Sequence, residues 1–164
     1  GKTMNAILER AAELLKSKEM AFGRMHDDRA LVLLMGGENL SWTSVLFSED
    51  TGILLTLLTR LSSRVPEHLA APCALLVARL NAGASLGGFQ YDPAERSVHY
   101  CVSHPVHNLD DCPKALEILL AVTHGAMEEQ APEILRLLLD RAGQPDSAKA
   151  SPGVAPAPQR FDLN

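Results

Sequence analysis

Aromatic side chains are scarce in this chain. Phe, Trp and Tyr make up 4% of its 164 residues, with a single tryptophan. So thin a supply excludes a base-stacking platform for single-stranded nucleic acid. Basic charge is also short: 15 Lys and Arg stand against 20 Asp and Glu, for a net charge of −5, and no segment concentrates them. Without a basic footprint, nucleic acid is not expected as a partner. The three cysteines, Cys73, Cys101 and Cys112, are an odd number without a repeated spacing. That excludes a disulfide framework and suits a reducing cytoplasm. No apolar run approaches the ~18 residues of a membrane span, so no membrane partner is expected. No basic-then-apolar leader opens the sequence, so no signal peptide is expected. Gly1-Lys2-Thr3 before Met4 reads as a vector remnant, with translation starting at Met4. It imitates the end of a phosphate-binding P-loop but lacks the glycine-rich strand turn that must precede it.

What is present is ordinary for a globule: 46% hydrophobic and 21% charged residues. A chain of this length forms one domain and buries roughly 70% of its unfolded surface, needing neither disulfide nor metal. In "MNAILERAAELLKSKE", Ile7, Leu8, Ala11, Leu14 and Leu15 share one helical face, predicting a helix over 5–18 with Asn5 as N-cap. "RALVLLM", "LSWTSVLF" and "ILLTLLT" read as strands joined by the turns "GGEN" and "SEDTG". A helix follows whose firm part starts at Pro72 and ends at Asn81 and Gly83. "SLGGFQYD" and "SVHYCVSH" form a hairpin around "DPAER". Phe89 and Tyr91 point one way, and Val98, Tyr100 and Val102 alternate with His99, Cys101 and Ser103. The last helix starts near Asp110 and Pro113 and continues or restarts at Pro132. The order is α-βββ-α-ββ-α: an α+β domain over 1–143 with a five-stranded, mostly antiparallel sheet and three helical segments. Residues 144–164, rich in Pro, Ala and Ser, read as an extended tail.

The chemical candidates are few. "GASLGG" follows a helix and precedes a strand, the reverse of the order a phosphate loop requires. His104, His107, Asp110, Asp111 and Cys112 lie within nine residues, and zinc accepts all these donor types. They are not on one helix face, and no CxxC or HExxH anchors them. The segment therefore reads as a polar strand-to-helix loop, with Asp111 or Cys112 capping the helix and no metal bound. Cys101 and His99 face the same side of a strand, but strand alternation alone explains that, and a structural thiol is expected. The paired carboxylates Asp27-Asp28, Glu49-Asp50, Asp110-Asp111 and Glu128-Glu129 fall at turns or helix ends. No general acid or base is assigned.

A different signal comes from the strands. Trp42 alternates with Ser44 and Leu46, while Thr43, Val45 and Phe47 face the other side. "LVLLM" and "ILLTLLT" are likewise apolar on both faces. A second apolar face needs cover from a helix, a partner or a ligand. The residues expected to meet a partner are Trp42 and Leu54 on the sheet and Leu75, Leu76 and Leu80 on the second helix. If the domain is monomeric, Phe161 and Leu163 of the tail are the alternative cover.

"LVARLNAGASLGGFQYDPAERSVHYCVSHP" carries a family resemblance: "LN" at a helix end, "GxF" opening a strand, an acidic turn, and an aromatic strand before the last helix. Over about Met4 to Gly143 this pattern resembles the YbjN-type family of bacterial proteins, described as sensory transduction regulators, whose fold is similar to that of type III secretion chaperones. The resemblance implies a small acidic protein that binds protein, commonly as a homodimer. It carries over no catalytic residue, and the tail falls outside it. The expected function is a non-enzymatic, cofactor-free protein-binding module, chaperone-like or regulatory. The alternatives are a small metal- or thiol-dependent enzyme using His104–Cys112, and a sensor holding a small ligand in an apolar pocket between sheet and helices.

Overall fold

The computed structural model describes residues 5–25, 27–49, 53–62 and 64–142. The tail from 144 to 164, with Phe161 and Leu163, lies outside them. The first helix, α1 (Ala6–Ser17), starts where the Asn5 side chain accepts the Leu8 amide at 2.8 Å. Its face of Leu8, Ala11, Ala12 and Leu15 is buried.

Four strands follow: β1 (Phe22–Met25), β2 (Ala30–Gly36), β3 (Ser41–Ser48) and β4 (Leu54–Ser62). A 3₁₀ turn at Glu67–Leu69 leads into α2 (Ala70–Asn81). The hairpin β5 (Gly88–Asp92) and β6 (Ser97–Pro105) comes next, then α3 (Cys112–Glu129) and α4 (Ala131–Ala142). The sheet has six strands in the order β1-β2-β3-β4-β6-β5, and every neighbouring pair is antiparallel. The fold class is α+β, as the hydrophobic patterning predicts.

Two expectations need correction. The sheet has a sixth strand, because "FGRM" pairs with β2 from Phe22↔Leu33 to Met25↔Ala30. This strand has only four residues and no apolar alternation, so a periodicity reading passes over it. Its one local signal is Asp27-Asp28, both at positive φ (54° and 67°), a conformation that marks a turn. The three helical segments are four helices, since α3 ends at Glu129 and α4 restarts with Pro132 in its first turn. The second helix runs from Ala70 to Asn81, within the stretch that reads as helical, with Ala82 as its C-cap.

The strands keep their alternation. Leu31 and Leu33 of β2, Trp42, Ser44 and Leu46 of β3, Leu55, Leu57, Thr59 and Leu61 of β4, Phe89 of β5, and Val98, Tyr100 and Val102 of β6 are all buried. Their apolar members form one core with α1 and with Cys73, Val77, Leu116, Leu119, Met127 and Ile134 of α2, α3 and α4. α1, α2 and α3 therefore lie against one face of the sheet, and α4 packs on α2 and α3.

Candidate interaction surface

The opposite face is built from the other half of each strand. Register places Gly23, Val32, Val45, Leu58, Cys101 and Gly88 in one row across all six strands. The adjacent row holds Met25, Ala30, Phe47, Thr56 and Ser103, of which Ala30 and Thr56 are buried. Leu54 faces the same way, opposite Pro105. Val32, Val45, Phe47, Leu54 and Leu58 are half-buried by their in-sheet neighbours, and Leu34 is 56% exposed. None of them packs against the core that the helices build. Among the described residues, no helix lies on this face.

The polar groups on this face are arranged by strand pairing. Thr56 and Ser103, partners across β4 and β6, share a hydroxyl hydrogen bond of 2.7 Å. Arg60, His99 and Gln90 form a row at one end, with Asp92 beside it on β5. Burial, and then the nearby Arg60, hold His99 below the usual histidine range; Asp92 and Glu95 pull the other way. Cys101 sits with His99 on this face, as strand alternation predicts. Burial pushes its thiol up, so at neutral pH it stays protonated and is a poor nucleophile. Cys73 is fully buried and pushed up to about 11.

The "HPVHNLDDC" segment is a connecting loop in which the His104, Asn108 and Asp111 side chains bond to the loop's own backbone. Asn108 accepts the Asp110 amide at 2.9 Å, and the Asp111 carboxylate accepts the His107 and Asn108 amides at 2.8 and 3.3 Å. This is a capping box headed by Asn108 on the 3₁₀ turn Leu109–Asp111. Asp111, one of the two residues expected to cap the helix, is the N-cap of α3, and its side chain completes the box instead of accepting an α3 amide. His104 turns its Nδ1 to the Pro105 carbonyl at 2.8 Å. Cys112 opens α3 and is buried. Among the described residues, no three His, Cys, Asp or Glu side chains converge as a metal site.

The residues expected to meet a partner fall in different places. Trp42 is 2% exposed and stacks at a tilt on His124 of α3, ring centroids 5.8 Å apart. It is a core side chain on the helix side. Leu54 lies on the open face. Leu75 is 72% exposed on α2, while Leu76 and Leu80 pack partly against the core. Val32, Val45 and Leu58, the centre of the open row, were not singled out by sequence reasoning. The available signal was Val45 alternating with Trp42; its alignment with Val32 and Leu58 depends on register, which a strand pattern alone does not supply.

A half-open groove of about 440 Å³ lies where the end of α1, the end of β2 and α3 meet. Met20, Leu34, Met35 and Leu120 supply apolar walls, with Lys18, Glu117 and His124 among them.

No family model and no curated protein matches this chain. Its fold is similar to that of a solved structure, the crystal structure of YbjN from E. coli, described as a candidate transcription regulator. The two align with a TM-score of 0.50 and 13% identity over 84% of this chain and 93% of that one. The YbjN-like likeness inferred from the sequence thus holds at the level of the fold. Among the described residues, no helix is long and apolar enough to cross a membrane.

Proposed function

We propose that this chain is a YbjN-like, non-enzymatic protein-binding module, chaperone-like or regulatory, that works in the cytoplasm as a homodimer. The observation that carries the reading is the uncovered row Val32–Val45–Leu58–Cys101. A contiguous apolar sheet face is costly to leave in water, and faces of this kind mark protein-interaction sites. Enzymatic readings have less support, because burial raises the thiols and the His104 ring and the Asp111 carboxylate bond to the backbone of their own loop. A photo-crosslinking residue at Val45 tests the reading in cells, with the exposed turn position Glu95 as control. A protein adduct, to another chain or to a second copy, is expected at Val45 and not at Glu95. No adduct at Val45 would overturn it.

The second reading is a small-ligand sensor, favoured by the groove at Met20, Leu34, Met35 and Leu120. Its volume falls in the range of ligand pockets. Native mass spectrometry of the purified protein checks it: a retained small molecule, displaced by Leu120→Trp, is the expected signature.

A further inference from the structure

A single stretch of free strand edge, one residue long, opens onto the groove beside β2. We propose that this groove binds one free α-amino acid with an aliphatic or thioether side chain. This rests on the reading of the groove as a ligand sensor, and it names the class of ligand.

The free edge follows from strand alternation. Along one edge of an antiparallel strand, every second residue turns its N–H and C=O outward. On the outer edge of β2, Leu34 donates its amide to the Ala21 carbonyl at 3.1 Å. There the chain leaves the sheet, because the Met20 amide is tied back to the Leu15 carbonyl at 3.0 Å. Past the end of β2, the Glu38 amide donates to the Glu128 carboxylate of α3 at 2.6 Å. Gly36 lies between these two anchors, faces no residue of β1 and lines the groove. Alternation turns its N–H and C=O to this edge, with the positions on either side already engaged. A peptide strand joins a sheet edge through several residues in succession. One residue of edge suits the carboxylate and ammonium of a single amino acid.

Charge points to the same class. Lys18, the C-cap of α1, and Glu117 of α3 both line the groove. Among the described residues neither enters an ion pair, with the other or with any third group. An amphiphile carrying only a carboxylate would meet the Glu117 carboxylate, and one carrying only an ammonium would meet the Lys18 ammonium. A zwitterion serves both. Its carboxylate takes the Lys18 ammonium and the Gly36 N–H, and its ammonium takes the Glu117 carboxylate and the Gly36 carbonyl. The remaining walls, Met20, Leu34, Met35 and Leu120, are apolar and receive an apolar side chain.

The chain carries its own reporter. Its single tryptophan, Trp42, pairs with Met35 across the strands and stacks on His124, and both of these line the groove. Isothermal titration calorimetry and Trp42 emission on the full chain test the proposal, with L-leucine and L-methionine as probes. Hexanoate and hexylamine, each with one charge only, are the controls. The expected result is saturable binding of a probe that changes Trp42 emission, with no binding of the controls at the same concentrations. Lys18→Gln and Glu117→Gln, both at exposed positions, should keep the wild-type circular dichroism spectrum. Each should weaken binding about tenfold, as expected for one charge-assisted contact at a solvated rim. Binding of hexanoate or hexylamine as tight as that of leucine overturns the amino acid and leaves the ligand-sensor reading standing. So does a different molecule retained in native mass spectrometry while neither probe binds. Amino-acid binding that neither substitution weakens overturns this groove as its site. No binding of any probe, with no retained molecule, overturns both.

Discussion

Single residues hold the β5–β6 hairpin onto α2. The Asn81 amide donates to the Phe89 carbonyl at 2.7 Å, and its oxygen accepts the Phe89 amide at 2.9 Å, so one side chain acts as a missing backbone unit for β5. Asn81→Ala removes both bonds in a part-buried site and is expected to cost about 1–3 kcal/mol, measured by urea unfolding. Gly87, at φ +74°, permits the turn just before it, and a Cβ there would overlap the Tyr100 hydroxyl. Ionisable groups set the pH response at the same scale. Cys73 in the folded chain is pushed up to about 11 from an ordinary value of 9.0 by burial. The unfolded thiol ionises first, so stability is whole below pH 9 and declines as pH rises from 9 towards 11. The loss amounts to about 2–3 kcal/mol. Burial raises Cys101, Cys112 and Tyr100 as well, and they add to the decline. His99 works at the acid end. Its folded value lies below the ordinary 6.5, so the unfolded chain takes up the proton first and stability falls as pH drops below 6.5. Urea midpoints from pH 5 to 11 should therefore fall at both ends, with Cys73→Ala flattening the alkaline limb and His99→Gln the acid one.

Strand pairing at the centre of the sheet uses hydroxyls where leucine would be expected. Ser44 of β3 and Thr59 of β4 are cross-strand partners, both fully buried, with their oxygens 2.6 Å apart. One hydroxyl donates to the other inside the core. Ser44→Ala leaves the Thr59 hydroxyl without its partner and should cost about 1–3 kcal/mol, whereas Ser44→Ala with Thr59→Val should recover much of that loss. A double-mutant cycle in urea that finds the two changes additive would remove this pair from the account. Elements whose sequence repeats over seven or more residues were legible: α1 with its Asn5 cap, β2, β3 and β6 follow their periodicities closely. β1 was not, because four residues at an edge need little apolar pattern to pair. The loop before α3 was legible as a loop with Asp111 at the helix start, but not the capping box that Asn108 heads on the 3₁₀ turn before it, since which side chain meets a free amide depends on the local backbone path.

At the level of the whole molecule the governing fact is that the helices gather on one side of a six-stranded sheet, α1, α2 and α3 against it and α4 on α2 and α3. Two adjacent leucines of β4 therefore have opposite environments. Leu57 is fully buried under the helices, while Leu58 lies half-buried on the open face beside Val45 and Cys101. Leu57→Lys should abolish the folded circular dichroism spectrum, because an unpaired ammonium would enter the core. Leu58→Lys should retain that spectrum and lose self-association. Equal damage from both changes would mean that the face is covered within the monomer.

The sequence alone determined which residues alternate, where the chain turns, and that the strands are apolar on two sides; these follow from local stereochemistry and the period of two. Only the tertiary structure decided which of the two apolar faces the helices take. Trp42, the most conspicuous side chain, went inside against His124, and the plainer Val45 stayed outside. Nor could the sequence align Val32, Val45, Leu58 and Cys101 into one row, because register between strands distant in the chain is set by the packing of the whole sheet against its helices.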